Sequence, residues 1–290
     1  MIRLWFEDFW ASFDPKNNFF THTLDLFGFR YKLTRLWPDV LIYSGFGDRH
    51  RRFSCRKLFY TGENVLPRED ECDFSISFQP DCGQRNLRLP VYIYHAWYQS
   101  RGLGLKEGIE PMLQLLLDRV HGPQYSETRD RFCSFIFGNG KPKRRNDFFH
   151  ALQKYKPVDS AGKWMNNTGY SVDNKIKFLR YYKFNIAFEN ESALGYTTEK
   201  ILDPLLSGAI PIYWGNPTIA HDFSPESYIN AMDYESDEEL IEVIKEIDQD
   251  DDLFRHYQCA ACFLNNTPTP YWQLDRLYAF YVNVFGLPVS

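Results

Sequence analysis

Residues 184–217, FNIAFENESALGYTTEKILDPLLSGAIPIYWGNP, constrain the fold of this chain more than any other stretch of it. Residues 184–188 are a short apolar run, and Glu189-Asn190 lead out of it into a polar loop. Thr197 or Thr198 can cap the helix that follows, Gly208 can end it, and residues 209–214 form a second buried-type strand. Strand, loop, helix and strand of this length make a βαβ crossover, whose loop and helix N-terminus commonly take ligands. Lys200 falls in the first turn of the helix, where a cation opposes the helix dipole. An anion held in front of the helix would account for it.

The rest of the chain repeats the theme. Residues 2–6, 40–44, 57–61, 74–78 and 91–94 are short β-type runs at βαβ-like intervals, with a helix expected at 17–27. Composition shifts at 99–108, rich in glycine and charge, before a linking helix at 110–120 and a breaker at His121-Gly122-Pro123. A strand at 131–137 then runs through Gly138-Asn139-Gly140 and a basic run into a helix at 146–155. Further helices are expected near 172–182, at 237–247 behind a capping box that Ser236 opens, and near 271–285, with a strand at 228–232. The final helix is expected to pack back across the domains. These features predict two α/β domains, 1–122 and 123–290.

Composition narrows the function classes. With 44% apolar and 24% charged residues the chain is globular. Its 18% aromatic content suits sugar stacking as well as core packing, and packing is the better reading for most of these rings. A net charge of −5 argues against broad nucleic-acid binding. No apolar run is long enough to span a bilayer, and Glu7-Asp8 interrupt any signal-like start. Cys55, Cys72, Cys82, Cys133, Cys259 and Cys262 read as free thiols, and the Cys259/Cys262 spacing has no second pair to make a metal site. The sequon at Asn190, inside the proposed ligand loop, weighs against a secretory route.

Phe188-Glu189-Asn190, then Tyr196-Thr197-Thr198-Glu199-Lys200, then Pro211-Ile212-Tyr213-Trp214-Gly215 resemble the donor-binding signature of the α-1,3/4-fucosyltransferases, glycosyltransferase family 10. Arg145-Asn-Asp-Phe-Phe-His-Ala-Leu resembles a second motif of that family, whose arginine contacts the donor diphosphate. Tyr60-Thr-Gly-Glu63-Asn resembles the element that carries the proposed general base. The resemblance implies the GT-B fold: two Rossmann-like domains facing a cleft, acceptor on the first and nucleotide sugar on the second. It is dense at 131–233 and around 60–64 and thin elsewhere.

Transfer from a nucleotide sugar needs the diphosphate neutralised, the oxocarbenium-like centre stabilised and the acceptor hydroxyl deprotonated. The Asp-x-Asp pairs within 248–252 look like a solvated acidic loop rather than a metal site, which leaves the diphosphate to Arg and Lys. Lys200 and Arg145 are the candidates; on position alone Arg145 serves an anion and a merely solvated basic loop equally well, and Arg144 is its competitor in register. The resemblance gives Glu199 to donor hydroxyls, lays Asn190 and Tyr196 against the nucleotide, and adds Tyr170 on the donor side. Glu63, at the carboxyl end of a strand, would be the base; without the resemblance a surface-loop glutamate is the better reading. His95 either lines the acceptor pocket or caps the domain core.

The expectation is an inverting α-1,3-fucosyltransferase that uses GDP-L-fucose and a glycan acceptor such as N-acetyllactosamine or lactose. It needs no cofactor, and a divalent metal would at most stimulate it. The resemblance also suggests a soluble, microbial-type, cytoplasmic protein, with peripheral membrane contact and oligomeric state left open. The alternatives are a GT-B transferase for another GDP-sugar and a non-catalytic nucleotide-sugar or glycan-binding protein.

Overall fold

A computed structural model describes residues 1–81, 83–102, 108–122 and 129–287, with the side chains of 100–102 left aside. Cys82 and the breaker's Pro123 lie outside the described residues. The chain divides into two compact units, Met1–Tyr94 with Pro270–Ser290, and His95–Thr269.

In the first unit β1 (Ile2–Glu7), α1 (Phe19–Leu26), β2 (Tyr31–Leu33), β3 (Val40–Tyr43), β4 (Arg56–Tyr60), β5 (Phe74–Ser77) and β6 (Asn86–Arg88) follow in order. The six strands pair in parallel in the order β2-β1-β3-β4-β5-β6. After β1 the chain builds outward to β2 and then crosses to β3, so the order reverses between β1 and β3. Asn18 caps α1 in a full capping box with Thr21, and Phe20 of α1 packs on Phe6 and Tyr60 of the sheet.

The run at 91–94, expected as a strand, opens the helix α2 (Val91–Gly102), started by Ile93 N–H donating to the Pro90 carbonyl. A short apolar run bears no period that separates a strand from a buried helix turn. The division between the units falls inside α2, earlier than the boundary expected at 122/123.

The second unit continues with α3 (Glu110–Leu117), β7 (Arg131–Phe135), α4 (Lys143–Leu152), β8 (Val158–Ser160), α5 (Lys175–Leu179), β9 (Tyr182–Phe188), α6 (Glu199–Ser207), β10 (Ile210–Trp214), β11 (Ile229–Asn230), α7 (Asp237–Gln249) and α8 (Asp251–Cys259). Its strands are parallel in the order β11-β10-β9-β7-β8, reversing between β7 and β9. The core under this sheet is aromatic: Phe148 of α4 stacks on Phe188 of β9 at 5.0 Å, and Phe149 meets Phe135 at 4.7 Å. Thr198 caps α6 and Gly208, in the left-handed region, ends it. Ser236 accepts the Glu239 N–H to cap α7. Buried Arg119 and the guanidinium of Arg129 take up the carbonyls of Leu205 and Ser207 at the end of α6.

Asp248, expected in a solvated acidic loop, is buried and holds Lys156, Lys183 and Tyr155, while Asp250 caps α8. The strand expected at 228–232 is only two residues long, and the helix expected at 172–182 is only α5. The last helix, α9 (Leu274–Phe285), returns to the first unit. There Tyr281 Oη lies 2.9 Å from Thr23 Oγ1, Arg56 donates to the Val284 carbonyl at 2.6 Å, and Phe280 packs on Phe74. Cys55, Cys72, Cys133, Cys259 and Cys262 are free. Among the described residues no helix is long and apolar enough to cross a membrane.

Candidate functional site

Ligands of open α/β sheets bind at the carboxyl ends of the strands where the strand order reverses. In the second unit that point lies between β7 and β9. The loop leaving β7 carries Asn139, and the loop leaving β9 runs from Glu189 to the cap Thr198. Arg145 ties the two together: its guanidinium donates to Asn190 Oδ1 at 2.8 Å and to the Asn139 carbonyl, and stacks on Phe137 with 4.0 Å to the ring centroid. The side chain is buried, and its Nε–H has no partner among the described residues. Burial pushes its pKa down to about 10 against the opposing pull of Glu189. Helix α4 begins at Lys143, three residues earlier than expected, so Arg145 stands inside its first turn rather than in a solvated loop. Arg144 is committed elsewhere, in a two-pronged pair with Asp237 at 2.6 and 3.1 Å.

Lys200 has its counter-charge inside the protein. Glu189 is fully buried at the end of β9 and its Oε2 lies 3.1 Å from Lys200 Nζ. The same carboxylate accepts the Thr198 N–H at 2.8 Å and the Thr198 hydroxyl. Burial works against the Lys200 charge, but Glu189 and then Glu199 outweigh it and raise the pKa. Burial likewise raises the Glu189 carboxyl, with Lys200 pulling it back. Gly215, at φ 155°, makes the room: a Cβ there would run into Glu189 Cγ. Beside this pair, buried Asn216 accepts the Gly195 N–H at 2.7 Å and donates to Thr197 Oγ1 at 2.9 Å, while Thr197 donates to Asp222. The loop 189–198 is thus held by buried polar groups with their bonds made.

Glu199, the first residue of α6, is ringed by basic side chains: Lys200 Nζ at 3.8 Å, Lys175 Nζ at 3.9 Å and His95 Nε2 at 3.4 Å. Burial opposes its charge, yet Lys200, His95 and Lys175 together hold its carboxyl well below the usual range. One turn on, buried Asp203 accepts from Gln99 at 3.0 Å and lies 3.7 Å from Lys175. Its pKa is pushed up to about 6, first by burial; Lys175 opposes this and Glu199 reinforces it.

Of the residues singled out by sequence, Arg145, Asn190, Glu199 and Lys200 therefore gather at one end of this sheet. Tyr196 is 1% exposed, so its ring is part of the loop's packing. Tyr170 is not brought to the loop. It is half exposed, its ring rests near Phe178 of α5, and its carbonyl accepts from Asn166 Nδ2, which also donates to the Gly162 carbonyl just past the carboxyl end of β8. His95, left open between two readings, stands on α2 against Glu199. Glu189, Asp203, Asn139 and Lys175 were missed. Glu189 carried a signal, a carboxylate directly after the largely apolar strand run 184–188; the others have meaning only through tertiary contacts.

Glu63 lies in the first unit, two residues beyond Thr61 at the carboxyl end of β4. Thr61 Oγ1 accepts the Glu63 N–H at 3.0 Å and donates to its carbonyl at 2.8 Å, which fixes the turn and leaves the carboxylate exposed.

Two family descriptions match the chain. The C-terminal part of glycosyltransferase family 10 (fucosyltransferase) matches residues 126–267, and the alpha-(1,3)-fucosyltransferase FucT N-terminal domain matches residues 4–95. The chain is 35% identical over 230 residues to the alpha-(1,3)-fucosyltransferase FucT of Helicobacter pylori, covering 72% of this chain and 48% of the relative. It is 34% identical over 240 residues to GDP-fucose protein O-fucosyltransferase 3 of Mus musculus, covering 72% and 49%. The chain thus spans about half the length of these curated relatives. A crystal structure of an alpha1,3-fucosyltransferase superposes with a TM-score of 0.83 at 27% identity, over 98% of this chain and 89% of that one. A crystal structure described as containing GDP-fucose superposes at 0.80 and 27%, over 98% and 90%. With two parallel α/β sheets, the fold is of the GT-B type.

Proposed function

This chain belongs to glycosyltransferase family 10, the fucosyltransferases, and on that premise we propose that it moves L-fucose from GDP-β-L-fucose to a glycan acceptor containing N-acetylglucosamine or glucose. The observation that carries the reading is the pairing of Arg145 with half-buried Asn190 and of Lys200 with buried Glu189 at the strand-order reversal of the second sheet, two cations held by polar partners where an α/β sheet takes its ligand. Arg145 and Lys200 would neutralise the GDP leaving group, and Glu199 would accept from hydroxyls of the donor ribose or fucose. Asn190, oriented by Arg145, would lie against the nucleotide, with Tyr196 backing it from within the loop. Tyr170 is left out of this assignment, since its contacts among the described residues are with Asn166, Thr168 and Phe178 rather than with the loop 189–198.

In the transfer itself Glu63 takes the proton of the acceptor hydroxyl as that oxygen bonds to the anomeric carbon. The bond from that carbon to the β-phosphate oxygen breaks, and GDP leaves with the electron pair. One displacement inverts the β-linked fucose to an α-fucoside, of the Lewis type on an N-acetyllactosamine acceptor. The cationic grip gives a divalent metal at most a stimulatory part.

GDP release from a panel of GDP-sugars, with lactose and N-acetyllactosamine, with and without EDTA, tests the reading. Turnover of GDP-fucose that survives EDTA is expected; fast turnover of GDP-mannose with none of GDP-fucose would overturn it in favour of another GDP-sugar. Glu63→Ala is expected to lose most turnover and keep GDP affinity, whereas a non-catalytic binding protein has no turnover to lose.

A further inference from the structure

The first unit has its own strand-order reversal, between β1 and β3, and the two loops that leave those strands are built in an unusual way. Asp8, directly after β1, sits at φ 60°, a conformation that is costly without glycine. From there its carbonyl accepts the Phe46 N–H at 3.0 Å, and its carboxylate accepts the N–H groups of Arg49 and His50 at 3.1 and 2.9 Å. His50 Nδ1 lies 2.7 Å from the same carboxylate, its Nε2 3.1 Å from Glu71, and its ring stacks on Tyr43 at 4.0 Å. A Cβ at Gly47 would run into Asp8 Oδ1, so only glycine lets the loop come this close. The loop after β3 is therefore fastened to the loop after β1 by backbone and side chain together.

What this fastening presents is aromatic. Phe46 is 52% exposed although it lies in a rigid loop. Its ring stands 6.2 Å from half-buried Trp10, and Trp10 is braced by Phe13 at 5.4 Å and Tyr94 at 6.5 Å. The third loop at this end is the one that carries Glu63. Val65, two residues on, packs on Gly45 so closely that a Cβ there would lie 3.3 Å from its Cγ1. Strain, a glycine and a buried Asp–His–Glu chain are thus spent on holding an apolar ring open to solvent beside a carboxylate.

We propose that Phe46, edged by Trp10, is a stacking platform for the C–H face of a pyranose ring, and that this ring is the acceptor sugar whose hydroxyl Glu63 serves. The proposal rests on the fucosyltransferase reading and deepens it by naming where the acceptor is gripped. An aromatic face beside a hydrogen-bonding carboxylate matches a sugar, which offers C–H groups on one face and hydroxyls around its rim. The cations held by fixed polar partners at a strand-order reversal, Arg145 and Lys200, lie in the other unit, whereas the arginines at 49, 51 and 52 beside this platform are exposed and Arg51 is paired with Glu71, so the platform is assigned to the neutral substrate.

Phe46 is exposed, so its replacement leaves the core intact. Phe46→Ala is expected to raise KM for lactose and N-acetyllactosamine about tenfold or more while KM for GDP-fucose stays within about twofold. Phe46→Tyr should keep the acceptor KM, and Phe46→Leu, apolar but without a ring face, should not restore it. An unchanged acceptor KM in Phe46→Ala, or an effect confined to GDP-fucose, overturns the platform. If the wild-type protein turns over no GDP-fucose, the fucosyltransferase reading fails separately. Saturation-transfer NMR with the methyl β-glycosides of glucose and N-acetylglucosamine then decides the platform alone. Transfer to the ring protons that Phe46→Ala abolishes supports it, and absence of transfer to the wild-type protein refutes it.

Discussion

Replacing Glu189 by glutamine removes one charge from the centre of the donor-side loop with almost no change of shape. The amide oxygen can still accept the Thr198 N–H that Glu189 now takes at 2.8 Å, so the loop keeps its cap and loses only the counter-charge 3.1 Å from Lys200. Breaking a buried ion pair by removing one partner typically costs about 3–5 kcal/mol, because the other charge stays behind uncompensated. Here Glu199, 3.8 Å from the same ammonium, retains part of the compensation, which lowers the expected loss to about 2–4 kcal/mol. In a chain of this size that corresponds to a fall in Tm of roughly 5–15 °C.

The pH dependence carries a sign of its own. The Lys200 pKa is raised in the folded protein, so its contribution is intact below the ordinary lysine range and lost as pH rises through the folded value. The gap between wild type and Glu189→Gln should therefore be full near pH 8 and narrow as pH climbs above about 10.4, the unperturbed lysine value. Urea unfolding at pH 8 and pH 10.5 measures both quantities. A variant within about 1 kcal/mol of wild type at pH 8, the range of a surface pair, would show that Glu189 does not hold Lys200, and the account of the loop would fall with it.

Three further outcomes follow from the same region. Asp203, its pKa raised to about 6, is disfavoured as a carboxylate in the fold, so it makes stability fall as pH rises from about 4 to about 6, by about 3 kcal/mol in all. Asp203→Asn should flatten that slope in denaturant melts, and an unchanged slope would refute the buried-acid reading. Gly215→Ala should lower Tm by several degrees and weaken GDP binding in calorimetry, because the new Cβ displaces Glu189; wild-type affinity would mean that the loop has slack. Arg145→Lys should weaken GDP binding about a hundredfold, since lysine cannot bridge Asn139 and Asn190, whereas Arg144→Lys should leave it within about threefold; the reverse order would put the register one residue off.

The extent to which the sequence disclosed all this depends on the range of the forces involved. The unit 184–217 was legible because strand, cap, helix and left-handed glycine are local, each enforced within a few residues of its signal. The three-residue strands β2, β6 and β8 left no such trace, since a strand that short takes its conformation from its neighbours' hydrogen bonds. The same limit hid α2, where burial from all sides erased the helical period at 91–94. At the site, Lys200 stood out because it opposes a dipole, but its partner Glu189 could be recognised only once β9 and α6 were seen to converge. Tyr170 shows the converse: a sequence position close to a motif does not lay a side chain on the loop 189–198, since the Tyr170 ring turns instead toward Phe178 of α5.

The return of the last helix to the first unit has a consequence for how the protein is made. Residues from Pro270 onward belong with Met1–Tyr94, and Tyr281, Val284 and Phe280 engage Thr23, Arg56 and Phe74. On the ribosome residues 1–94 are made before the second unit but lack this helix until all of the contiguous second unit, His95–Thr269, has been made. Of the two units, the one begun earlier is thus the later to be finished. Until then the aromatic surface of α1 and β5 that α9 covers is open to solvent or to a chaperone, and any chain cut short before Leu274 would carry that exposed face permanently.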